Sequence, residues 1–474
     1  MRRILLAPRV CMKKPGCALI VPGRAWRTKK SCAQAWNCPC VLTCDNGWVQ
    51  LMTDSIPNSV TPPVKAPLLS RSLLLFMFAM ILANIGGSMY HPLLPLYLQE
   101  LGANVGQVGL FFTLSQVIPL ALQILGGWVS DSLGRLRAVA FGSVAGLFTY
   151  LFLIISPRWE WVLLSMAFGA VSGSLIGPSF DAYIAENSTR QNRARVFGVT
   201  QALFQIVGVI GPLLGGWLAQ VRGFKFMLGV AAVLYVAATL LRIGMARHAS
   251  RSPEARARKL SFEGLKQNLG TMFGLVTAGG VITWVLITDG VRDISFALSF
   301  NFMPIYMQDI AHLSLPQIGL MNSLFSLFLM LSTIPGGLLA DRKGERIGIV
   351  TGFAMIFIAL MIFVSTVNFW LYCVGWAVAG IGVGVMSPAY QSLISKAVPA
   401  RVRGTAFGLF STSLGLVSLP APAIGAQLWE RISPRFPFQI TAWVSLICVI
   451  PAWLKFKLNQ KDEISEMEDE NNHG

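Results

Sequence analysis

Charge is scarce in this chain. Acidic and basic residues make up 12% of its 474 positions against 54% hydrophobic ones, and the mean hydropathy is +0.61. So little polar surface excludes a water-soluble protein of this length and points to a membrane protein. Histidine is scarcer still, with four residues. Six of the eight cysteines (Cys11, Cys17, Cys32, Cys38, Cys40 and Cys44) precede the first long apolar run, without a Cys-x-x-Cys pair or a nearby histidine. That spacing supports neither a zinc site nor a disulfide framework, so no metal is expected. A phosphate-binding G-x-x-x-x-G-K-[ST] loop and a dispersed catalytic constellation are absent, so no enzymatic chemistry and no cofactor are indicated. Asp45 is the only acid in the first 51 residues, which also lack an apolar signal core. Residues 1–68 are read as an N-terminal extension, disordered or upstream of a true start at Met52, rather than as a targeting segment.

What is present is a duplication. Gly127, Asp131 and Gly134 recur at an offset of 210 as Gly337, Asp341 and Gly344; Pro178 recurs as Pro388; Arg193, Phe197 and Gly198 recur as Arg403, Phe407 and Gly408; Pro212 and Gly215 recur as Pro422 and Gly425. The matched pieces lie among apolar runs of helical length at 72–95, 106–130, 137–156, 159–184, 194–221 and 224–245, then at 281–307, 316–340, 346–366, 368–393, 403–429 and 434–456. The reading is an all-α membrane protein of two six-helix bundles, 69–245 and 276–457. A basic linker with an interfacial helix joins them at 246–275, and an acidic disordered tail follows at 458–474.

The net charge of +17 reports topology rather than a nucleic-acid partner. Setting aside the nine basic residues before Met52 and the intramembrane Arg292, 28 remain; five (Arg158, Arg222, Lys225, Arg431 and Arg435) fall on one side and 23 on the side of the termini. Both termini are therefore expected in the cytoplasm of a multi-pass protein of the cell membrane.

The run from Gly127 to Arg137, with Asp131, Gly134 and Arg135, falls at the inner end of the second span, and Gly337, Asp341, Gly344 and Arg346 repeat it. This resembles the loop signature of the major facilitator superfamily over roughly residues 70 to 457. The resemblance implies two bundles related by a pseudo-twofold axis along the membrane normal. It also implies a conformational latch of Asp131, Arg135 and Arg137, in which Asp181 near the inner end of the fourth span either joins the cluster or contacts substrate. Gly211, Pro212, Gly215 and Gly216 resemble the Gly-Pro signature of exporters in the family, and tight helix packing explains the same residues equally well. The segment Pro92-Leu-Leu-Pro95 is similar to the drug-proton antiporter branch. The first-span acid of that branch is missing, with Ala83 and Asn84 in its place, and Ser165 replaces its fourth-span arginine.

The seventh span carries Asp289, Arg292 and Asp293 instead. At about 1.5 Å per residue they lie roughly 12 to 18 Å into the membrane and within about a 100° arc, hence on one helix face. Each costs on the order of 3 kcal/mol facing lipid, so they must point inward. Two carboxylates around one guanidinium leave one acid free to carry a proton; a purely structural ion pair is the competing account. Asn84 corresponds to Asp293 at an offset of 209, which directs the first and seventh spans to one cavity. Gln116, Gln205, Tyr90 and Trp284 are further candidates for substrate contact, although membrane glutamines also join helices. His91 is read as solvent-exposed.

Together these observations describe a monomeric secondary transporter moving a small molecule, with protons as a possible partner. Export of amphipathic or hydrophobic compounds is the favoured direction. Uptake of a small organic solute, or a membrane sensor or scaffold that binds without moving its ligand, are the alternatives.

Overall fold

The computed structural model describes residues 71–188, 192–248, 281–397 and 417–456, and a two-residue antiparallel ladder pairing Cys11–Met12 with Ala18–Leu19. That ladder belongs to a separate unit, Met1–Pro67; the helices all belong to Leu68–Gly474. The rest of the N-terminal extension, the linker past His248 and the tail past Phe456 lie outside the described residues.

The first half contains α1 (Arg71–Tyr90), α2 (Leu94–Glu100), α3 (Val105–Leu133), α4 (Arg135–Ile155), α5 (Trp159–Glu186), α6 (Arg193–Arg222) and α7 (Phe224–His248). The second contains α8 (Val281–Ser299), α9 (Met303–Asp309), α10 (Leu315–Lys343), α11 (Glu345–Ser365), α12 (Phe369–Ala397), α13 (Ala421–Arg431) and α14 (Phe436–Lys455). Among the described residues nine helices are long and apolar enough to cross a membrane. Three further spans are read differently for visible reasons: α3 contributes the apolar stretch Val105–Leu120, α8 carries three ionisable residues, and α13 is described only from its later part. Large apolar side chains such as Trp217, Val233, Leu240, Ile334 and Trp370 remain exposed, as a lipid-facing belt requires.

Local chemistry repeats with the chain. Asn104 caps α3 and Ser314 caps α10, each in a reciprocal box with the glutamine three residues on. Gly134 and Gly344 turn the chain from α3 into α4 and from α10 into α11 at φ 86° and 93°, a left-handed conformation that a Cβ disfavours. The first and seventh spans are not continuous helices: short 3₁₀ turns at His91–Leu93 and Phe300–Phe302 interrupt them, beside prolines that cannot donate a backbone hydrogen bond. The change of offset from 209 to 210 has a simple cause. The loop between α9 and Ser314 is one residue longer than that between α2 and Asn104, and it holds His312 at a φ of 53°.

The two halves meet toward the ends remote from Arg71 and Lys455. A Cβ on Gly109 would lie 2.6 Å from the Pro422 carbonyl oxygen, and one on Gly319 would collide with that of Pro212. These are the same contact at an offset of 210, α3 on α13 and α10 on α6. Three hydrogen bonds between described residues join the halves at this end: Gly106 N–H donates to Glu430 (2.8 Å), Ala423 N–H to Thr113 Oγ1 (3.2 Å) and Gln99 Nε2 to Asp309 (3.1 Å).

Candidate substrate and coupling sites

Two polar constellations occupy the interior, one in each half. In the second half, α8 directs Asp289, Arg292 and Asp293 toward α12, where the Arg292 guanidinium lies 5.2 Å from the centre of the Tyr390 ring. Arg292 donates from Nε (3.1 Å) and Nη2 (2.7 Å) to a single oxygen of Asp293. Asp289 Oδ1 sits 2.6 Å from the same Nη2 but outside hydrogen-bonding geometry. The side chains of Asp289, Arg292 and Asp293 are 10%, 19% and 35% exposed, so the group faces the bundle rather than the lipid. Thr441 and Cys448 of α14, which donate to the carbonyls of Ser295 and Thr288, hold α8 in that orientation.

The first half holds an open cavity of about 1520 Å³, lined from α1, α3, α4, α5, α6 and α7. Asn84, Gln116, Tyr90, His91 and Asp181 line it. Tyr90 stacks on His91 and meets Tyr150 edge-on, while Asn84 returns its amide to the Met80 carbonyl (2.8 Å). Asp289, Arg292 and Asp293 of α8 are not among the residues that line this cavity. Gln205 is half-buried on α6 outside that lining, and Trp284 is 38% exposed, with Lys455 Nζ 5.5 Å from its ring centre.

The loop-motif residues sit where the helices turn. Gly127 and Asp131 fall in the last turns of α3, where side chains lie outside the described part. Arg135 donates from Nε to Glu186 at the end of α5 (3.0 Å), a partner the sequence did not reveal. Arg137 is half-buried, and Asp341 is exposed. Arg346 donates to the Trp453 carbonyl (3.2 Å) and lies 4.1 Å from the centre of that indole. The Gly-Pro segment is an interface on two sides: a Cβ on Gly211 or Gly215 would collide with Ser88 or Met89 of α1, and one on Gly216 with Leu315 of α10.

Sequence reasoning missed Arg242. Lying near the end of the sixth apolar run, it was counted with the cytoplasmic loops, yet it is 2% exposed and lines the first-half cavity with Tyr150 and Tyr235. The sequence signal is ambiguous, because Arg242 lies three residues from the end of its apolar run, where a basic side chain can also reach the interface.

Comparison with known proteins agrees with this architecture. The family model described as Major Facilitator Superfamily matches residues 76–288 and 285–471. The chain is 26% identical over 380 residues to the multi-drug resistance efflux pump PmrA homolog of Lactococcus lactis, covering 78% of this chain and 91% of that protein. It is 24% identical over 381 residues to a Na(+), Li(+), K(+)/H(+) antiporter of Planococcus maritimus, covering 74% and 88%. Among solved structures, an inward-facing, unoccupied bacterial homolog of the human lysosomal transporter Spinster superposes with a TM-score of 0.65 at 13% identity, over 84% of this chain and 98% of that one. With matched halves, repeated glycine contacts and family matches over both bundles, the chain belongs to the major facilitator superfamily of multi-pass membrane transporters.

Proposed function

We propose that the protein is a secondary active exporter of amphipathic or hydrophobic compounds, working by alternating access with both termini in the cytoplasm and exchanging substrate for protons. It is a carrier and not an enzyme. Contact between the halves at the ends remote from the termini supports a cytoplasm-facing state, in which the first-half cavity receives substrate from the cell. Export accords with the activity named for the efflux-pump relative, and proton exchange with that named for the antiporter. The Gly-Pro segment carries less weight for direction, because its small residues are required by packing against α1 and α10.

The observation that carries the coupling is the asymmetry around Arg292. Its hydrogen bonds from Nε and Nη2 both go to Asp293, while Asp289 lies within ion-pair distance of Nη2 without a hydrogen bond. Protonating Asp289 leaves a balanced one-to-one ion pair, so Asp289 is the better proton carrier of the two. One proton crossing 100 mV supplies about 2.3 kcal/mol, enough to change a substrate ratio by more than tenfold. The latch role of Asp131, Arg135 and Arg137 accompanies this reading, with Asp131→Asn slowing the cycle more than it weakens binding.

Transport in proteoliposomes with an imposed pH gradient and a compound panel tests it. Asp289→Asn is expected to lose gradient-driven flux by about tenfold or more while retaining substrate counterflow, with a smaller loss in Asp293→Asn. Unchanged gradient-driven flux in both variants removes the proton role.

A further inference from the structure

Among the described residues Arg242 is a cation without a counter-ion. Its Nη1 donates to Ser143 Oγ (2.9 Å), and Nη2 reaches the Ala79 carbonyl (3.3 Å) and Met80 Sδ (3.1 Å). Its Nε finds no hydrogen-bond partner. The guanidinium lies 5.8 Å from the centre of the Tyr235 ring, and no carboxylate of the described residues forms an ion pair with it. A buried charge left in this condition is disfavoured, and dipoles plus the Tyr235 side chain offset only part of the cost. A second buried polar atom on the same cavity wall is also unpartnered, Thr149 Oγ1 of α4.

The duplication sharpens the point. At the offset of 209 that relates α1 to α8, Met80 corresponds to Asp289. The second half thus presents a carboxylate where the first half presents the thioether that touches Arg242. The first half places an arginine from α7 against that thioether, at a position that holds Ala452 in the second half, and it has a cavity beside them.

We infer that Arg242 is an anion-recognition group of the first-half cavity, and that the ligand it takes is an amphipathic organic anion with an aromatic body, its carboxylate approaching the guanidinium while its ring rests against Tyr235 and Tyr150. This narrows the substrate class of the exporter reading and rests on that reading for the direction of movement, though not for binding. The ties to Ser143 and Ala79 also hold α7 against α4 and α1, so the test has to separate ligand charge from fold.

Binding of 1-naphthoate, its neutral amide and the corresponding naphthylmethylammonium to the full-length protein in nanodiscs, with no gradient, makes that separation. Wild type is expected to bind the acid about tenfold or more tightly than the amide. Arg242→Gln should bring the acid down to the affinity of the amide without weakening the amide, and Arg242→Lys should keep part of the preference. Met80→Asp, which provides an internal carboxylate and leaves the arginine in place, should abolish the preference in a folded protein. Equal binding of acid and amide by wild type, preference for the cation, or binding of none of the three overturns the inference, and these readings stand even if Arg242→Gln fails to fold. A normal acid preference with no response to a pH gradient would sink proton-driven export alone.

Discussion

The two halves build one joint with opposite charges. Arg135 at the start of α4 pairs with Glu186 at the end of α5 (3.0 Å); 210 residues later, Glu345 at the start of α11 pairs with Lys396 at the end of α12 (2.6 Å). The joint needs attraction across the two helix ends and is indifferent to which end carries which sign. The helix dipoles are not indifferent. An acid suits a helix N-terminus and a base a C-terminus, so both dipoles favour the second-half pair and oppose the first-half pair. Exposure runs the same way, with the Glu345 side chain 10% exposed and the Glu186 side chain 55%. Equivalent positions are thus equivalent in geometry but not in energy.

The most severe break of this comparison is steric. Gly215 packs on the Met89 carbonyl and Gly425 on that of Leu298, positions related by the two offsets. Gly215→Leu and Gly425→Leu should each cost about 3 kcal/mol or more and abolish recovery of monodisperse protein on size exclusion. Tolerance at one site alone would show that the halves are not packed alike.

A smaller effect is expected at the charged joint. Glu345→Gln should lower thermal stability by about 1–2 kcal/mol, while Glu186→Gln should cost under about 1 kcal/mol, because the latter pair is solvent-screened. Arg135→Glu should be worse than either, and Arg135→Glu with Glu186→Lys should recover to wild type or slightly above, since it installs the sign order of the second half. Thermal unfolding in detergent measures all four; failure of the double variant to recover would mean that sign matters there. The smallest effect is at the caps, where Asn104→Ala and Ser314→Ala should each cost about 1 kcal/mol and by similar amounts.

Much of this was legible in the residues themselves. The 210-residue repeat, the paired loop motifs and the apolar runs reveal the bundles, because lipid forces every backbone group into helices and makes apolar length a direct report of a span. Asp289, Arg292 and Asp293 were visible for the same reason. The breaks at His91–Leu93 and Phe300–Phe302 were not read, since proline near a span end permits either a kink or a helix start. Arg242 escaped because a basic residue near the end of an apolar run is indistinguishable, in sequence, from one that snorkels to the interface.

The sequence alone determined that the chain crosses a membrane as two related bundles, and which ionisable groups must avoid lipid, because hydropathy and periodicity are local quantities. Tertiary structure alone decided the partners: that Arg135 meets Glu186, that Arg292 hydrogen-bonds Asp293 and not Asp289, that Gly216 faces the other half, and that Arg242 is buried with no ion pair to any described acid. Those facts depend on distances between residues far apart in the chain, and only packing of the helices brings them within the few ångströms over which hydrogen bonds and ion pairs act.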